Sequence, residues 1–427
     1  MFLGGEENLR KISLASFRRI TRDGVFIPEI DGLRFIAIVS VVLLHSYAQL
    51  LNRIAVGSAL GAIATESAFP VDVVNPHGFW RFLGHGGYGV QLFFAISGFI
   101  LGWPFARQYL RAGRSVRLSS YFLRRVTRLE PPYVLALVIR ALLLLATGIH
   151  TTRFVLAHLA ASIFYVHSLV FGVYSNIEPV SWTLEVEVQF YCLVPLLTLI
   201  YKIPKAWLRR TLLIFAIAIA APLQQAFLPG FDGARNVGAF NLSILAAIQF
   251  FLVGLLVADL YVDGWDRIPQ TKVWDLVSIP LWVLMFWLRP LTFLFVGPLI
   301  LPIVFVGAFK GVFIPRMLRN PIVTTVGGMC YSIYLTHRTA ILMLQLFLVR
   351  FHLRFPIWLA LSLLFVAPMS VAAGAVYFRL IERPCMNPRW PQDLIARFRS
   401  GPGGRPPVDP ALDLGAMKAV SKNGVGV

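Results

Sequence analysis

The sequence predicts an all-α fold: a polytopic transmembrane helical bundle of about ten spans with both termini cytoplasmic. Three observations predict it. Hydrophobic residues make up 57% of the 427 and charged residues 14%, with a mean hydropathy of +0.72, too apolar for a soluble globule of this length. Apolar runs long enough to cross a hydrocarbon core of about 30 Å, which takes about 20 residues, recur along the chain. The basic residues, finally, are sorted between the two sets of connecting segments.

The runs fall at 33–51, 88–106, 133–149, 180–200, 211–228, 243–262, 273–289, 291–309, 322–349 and 356–381. A further apolar stretch, 155–173, holds His158 and His167. It is read as non-crossing, because a span there would invert everything that follows and move the basic tail outside. Under this arrangement the outer segments carry Arg53, Arg81, Arg153, Arg235, Arg289, Arg350 and Arg354, the spans carry Arg34, Arg140 and Arg338, and the remaining Lys and Arg lie inside. The net charge of +19 is therefore topology, with no nucleic-acid partner implied.

Residues 1–28 read as a basic cytoplasmic segment with no cleavable signal, 29–384 as the transmembrane domain, and 385–427, Gly/Pro-rich and without apolar periodicity, as a disordered cytoplasmic tail. Cys192, Cys330 and Cys385 are scattered and suggest neither a disulfide framework nor a metal site.

In "DGLRFIAIVSVVLLHSY", Arg34 and His45 stand 11 residues apart. On a helix that is three turns plus about 20°, so both share one face with about 16 Å of rise between them. Arg34 alone is readable as a snorkelling anchor, whereas an imidazole inside a span faces the bundle interior and marks function. Ser97 in "AISGF" lacks the flanking glycines and strand-to-helix elbow of a nucleophile and reads as small-residue packing.

Several segments, in order, resemble the acyltransferase-3 family of membrane acyltransferases, over about Ile27 to Pro384. "GLRFIAIVSVVLLH" matches its Arg/Lys-X10-His signature, "GVQLFFAISGFIL" its FFxxSGF pattern, and "FLRRVTRLEPPY" its basic RxxR segment. "SWTLEVEVQFY", with Trp182, resembles WSLxxE(E)QFY, "CYSIYLTHRTAI" resembles SYSxYLxH, and "IERP" closes the set. The chain departs in having Val188 after Glu187 with Glu185 two residues before, Thr336 ahead of His337, and Arg338 after it.

The resemblance implies an O-acyltransferase of the bacterial cytoplasmic membrane. It would move an acyl group from acetyl-CoA or another acyl-CoA to a sugar or glycolipid hydroxyl, without a metal. His45 is then the expected general base, with Arg34 and Glu187 as its catalytic companions and His337 and Trp182 at the substrate. Arg125, Arg128 and Arg124, with Arg34, would dock the donor's phosphates, since arginine's fork suits phosphate.

Helical rise puts His45, Glu187 and His337 in one layer of the membrane, where a carboxylate next to an imidazole would favour its charged form. An interhelical hydrogen bond is the simpler account of Glu187 and His337, and a stop signal or lipid contact that of "RRVTR". The competing class is a proton-coupled or anion transporter using Arg34, His45 and Glu187.

Overall fold

A computed structural model describes residues 17, 26–56, 80–148, 150–227, 238–351, 355–387 and 390. Among these every regular element is helical, and the chain is an all-α, multi-pass membrane protein. The tail beyond 390 and most of the N-terminal segment lie outside the described residues.

In chain order the helices are α1 Pro28–Val56, α2 Trp80–Gly84, α3 Tyr88–Leu110, α4 Leu118–Thr147, α5 Thr152–Ile163, α6 His167–Phe171, α7 Trp182–Leu197 and α8 Ala206–Phe227. They continue with α9 Ile248–Val262, α10 Lys272–Trp287, α11 Pro290–Lys310, α12 Phe313–Leu318, α13 Pro321–Gly328, α14 Cys330–Leu348 and α15 Phe355–Tyr377.

Among the described residues seven helical segments are long and apolar enough to cross a membrane, and they coincide with seven of the ten expected runs. The other three differ in ways the local sequence explains. The run at 243–262 begins with a short 3-10 turn, Ile244–Ala246, capped by the Ser243 hydroxyl, which leaves α9 with 15 residues. The run at 273–289 becomes α10, of 16 residues. The run at 322–349 breaks at Met329, just past the Gly327–Gly328 pair, into α13 and α14. The 155–173 stretch is also broken: Tyr165 sits at φ 56° between α5, of 12 residues, and α6, of five. Neither piece has the length to cross a core of about 30 Å.

Helix α1 lies at the centre, packed on α3, α13, α14 and α15, which is why its His45 and Arg34 are withdrawn from lipid. The tightest pair is α3 with α9. Gly98 and Gly254 face each other's backbone there, so a Cβ at either position would meet main-chain atoms. Close backbone approach of this kind replaces the hydrophobic drive that lipid removes. Around α1, outward-facing Leu, Phe and Val side chains on α4, α8 and α10 are exposed in the numbers expected of a lipid-facing surface.

Candidate active site

His45 on α1 and His337 on α14 meet in the bundle interior. Their ring centroids are 5.0 Å apart at an interplanar angle of 65°. Each imidazole is fixed by its own helix. His45 Nδ1 donates to the Val41 carbonyl at 2.8 Å, and His337 Nδ1 to the Tyr334 carbonyl at 2.6 Å. A proton committed to Nδ1 makes Nε2 the nitrogen that carries the lone pair in both rings. His337 is 0% exposed, and its Nε2 has no hydrogen-bond partner among the described residues.

Tyr334, one turn before His337, ties α14 to α7. Its hydroxyl donates to the Val180 carbonyl and shares a 2.6 Å hydrogen bond with Thr183. Arg338 reaches Glu178 at 3.9 Å, and Arg140 reaches the same carboxylate at 3.4 Å. Buried charges persist only when paired, and Glu178 serves two guanidiniums from two helices.

A cavity of about 290 Å³ opens against His45. Trp182, Tyr174, Tyr334, Arg338, His85, Gln91 and Asn241 are among the residues that line it. Of the residues expected at the substrate, Trp182 lines this space, while His337 stands behind His45 rather than at the wall.

Glu187 lies elsewhere than against the histidines. Its carboxylate accepts from Ser97 at 2.8 Å and is within electrostatic reach of Arg34 and Arg125. Equal depth in the membrane does not make neighbours, because the face each helix turns inward decides contact. Arg34 pairs with Asp31 at 2.8 Å, one turn back on α1.

The basic segment begins α4. Arg124 is exposed; Arg125 lies over the Tyr121 ring at 3.6 Å and donates to the Tyr121 carbonyl at 2.6 Å. Arg128 reaches Glu382 at 3.4 Å, and Glu382 in turn accepts from Ser332 on α14 at 2.6 Å. Arg34 and Arg128 are both within electrostatic reach of Cys330 at the start of α14, which puts these arginines towards one end of the bundle. The His45 cavity lies further along α1, towards α2 and the segment before α7. Among the described residues no cluster of metal-ligating side chains occurs.

Sequence reasoning missed Glu178, Gln91, Asn241 and Tyr174. For Glu178 a signal existed, an acid directly before Pro179 at the mouth of an apolar run. The other three are single polar side chains with no spacing to mark them.

A family model described as an acyltransferase domain matches residues 27–376. Among curated proteins the chain is 24% identical over 339 residues to a protein of Staphylococcus aureus (strain COL) whose name carries O-acetyltransferase as a provisional assignment, covering 73% of this chain and 50% of that one. It is 28% identical over 199 residues to nodulation protein 10 of Rhizobium leguminosarum bv. viciae, covering 43% and 50%. It is 24% identical over 251 residues to a peptidoglycan O-acetyltransferase of Listeria monocytogenes, covering 53% and 34%. The chain spans about half the length of the first of these relatives. No solved structure matches it.

Proposed function

The chain belongs to the acyltransferase-3 family, and on that premise we propose that it moves an acetyl group from acetyl-CoA to a hydroxyl of a glycan or glycolipid, with His45 as general base. The observation that carries this reading is His45 at the wall of a cavity, its Nδ1 held by Val41 so that Nε2 is the basic nitrogen.

Four steps follow from the chemistry. The acceptor hydroxyl gives its proton to His45 Nε2 as its oxygen attacks the thioester carbon. Negative charge develops on the former carbonyl oxygen, and Arg338, beside His45 at the wall, is the cation best sited to oppose it. Collapse expels the coenzyme A thiolate, and the thiolate recovers the proton from His45. Arg125, Arg128 and Arg124 hold the donor's phosphates, with Arg34 between that dock and the base; the arginine end then faces the cytoplasm, in keeping with the sorting of basic residues. Glu187 and Ser97 line the route between dock and base, and His337 positions the ring of His45. The membrane is the bacterial cytoplasmic membrane, as the organisms of the relatives suggest.

The test is free-thiol release from acetyl-CoA by protein in nanodiscs, with and without a panel of glycan acceptors, wild type against His45→Ala. Acceptor-stimulated release should fall to background in the variant. No thiol release from folded wild-type protein with any acceptor or any acyl-CoA would overturn the reading, and uptake of a solute without thiol release would favour transport.

A further inference from the structure

Two amide side chains in the His45 cavity lack an answer from the protein. Gln91, in the first turn of α3, and Asn241, in the segment ahead of α9, both line the cavity. Gln91 Oε1 and Asn241 Oδ1 are buried and without a hydrogen-bond partner among the described residues, and Asn241 is 8% exposed. Folded proteins pair almost all such groups, because a buried polar atom left alone costs stability. The last torsion of an amide is soft and two-fold, so either oxygen or NH2 can turn towards an occupant.

The rest of the wall narrows what that occupant is. Trp182 and Tyr174 are 6.1 Å apart between ring centroids, at 64°, and present aromatic surface to the same space. An aliphatic alcohol would cover the rings and leave both amides unmatched. A sugar brings several O–H groups for the amides and a C–H face for an aromatic ring. At about 290 Å³ the cavity is at the small end of ligand pockets, room for a single ring rather than a length of chain.

We propose that Gln91, Asn241 and Trp182 form a subsite for one neutral, polyhydroxylated sugar ring, gripping hydroxyls other than the one that is acylated. This rests on the reading of the cavity as the acceptor site and deepens it. The subsite would select acceptors by the hydroxyls next to the reacting one, while His45 selects only for a proton to remove.

The experiment measures binding with no acyl donor present. Tryptophan fluorescence of protein in nanodiscs is titrated with chitotriose, cellotriose and maltotriose, and with 1-decanol as a probe with a single hydroxyl. At least one trisaccharide should bind saturably. Asn241→Leu and Gln91→Met should each weaken it about tenfold or more and leave decanol unaffected. Monodeoxy versions of the preferred sugar, tested on wild type, repeat the measurement without touching the fold, and at least one should bind about tenfold more weakly. No saccharide binding by wild type, or equal binding by the variants and the deoxy probes, overturns the subsite. Saccharide binding that depends on the amides in a protein that never releases thiol keeps the subsite and refutes acyl transfer. Thiol release stimulated by a saccharide acceptor and indifferent to both substitutions does the reverse.

Discussion

Arg125 and Arg128 begin from different states, and that difference separates their roles. Arg125 is held over Tyr121 by its own ring contact and carbonyl hydrogen bond, whereas Arg128 shares Glu382 with Ser332. Arg125→Ala combined with Arg128→Ala should raise the donor KM about tenfold or more, with a smaller change in kcat, as initial rates over a range of acetyl-CoA would show. That His45 and Trp182 share one cavity fits the patterned segments in which the sequence marks them, whereas Arg34, on the same helix, is outside that lining. The partner of Glu187 was not legible in the sequence: depth along a helix follows from counting residues, but the facing direction depends on how α7 is rotated against α3. Gln91 and Asn241 were invisible for a simpler reason, since an amide gains meaning only from the space beside it.

At the scale of elements, apolar run length located the helices well and their interruptions poorly. Tyr165 and Met329 divide runs that hydropathy reads as continuous, because a single residue's backbone angle leaves no trace in an average. Two joints carry expectations of their own. Asp275 on α10 accepts from the backbone of Val312, Phe313 and Ile314 at 2.7, 2.9 and 2.9 Å, closing the start of α12. Asp275→Ala strips three donors of a charged partner and should cost about 1.5–3 kcal/mol, read as a lower apparent Tm in a thermal-shift assay.

The α5–α6 hairpin carries a buried histidine pair, with His158 Nδ1 and His167 Nε2 2.7 Å apart and the Ser168 amide bonded to Glu185. Burial, then the neighbouring imidazole, holds His167 down to about 4, and burial, then His150, lowers His158. Both values lie below that of the unfolded chain, so the unfolded state binds more protons between about pH 6.5 and 4. The hairpin's stability is then complete above about 6.5 and is lost as pH falls towards 4. Hydrogen exchange over 152–171, corrected for its intrinsic pH dependence, should show protection falling across that window, and His167→Phe should flatten the response.

For the whole molecule, the composition sufficed to read a membrane bundle, the sorting of basic residues proposes its orientation, and the arrangement of helices around α1 was beyond both. Gly98 and Gly254, 156 positions apart in the chain, pack backbone to backbone, and no local pattern announces such a pairing. Orientation is testable directly. Cysteine placed at Arg114 should react with a membrane-impermeant maleimide only in inside-out vesicles, and cysteine placed at Arg289 only in right-side-out ones, in a background without native cysteines.

The locked imidazole of His45 also has a kinetic meaning. With Nδ1 bonded to the Val41 carbonyl, the proposed mechanism has one nitrogen both receive the acceptor's proton and return it to the departing thiolate. Direct attack of the acceptor oxygen on the thioester, as proposed, needs donor and acceptor present together, with Nε2 taking the proton and returning it within one encounter. The order of the reaction then becomes readable from initial rates: double-reciprocal plots at several acceptor concentrations should intersect, and parallel lines would mean that the acetyl group rests on the enzyme between two separate visits.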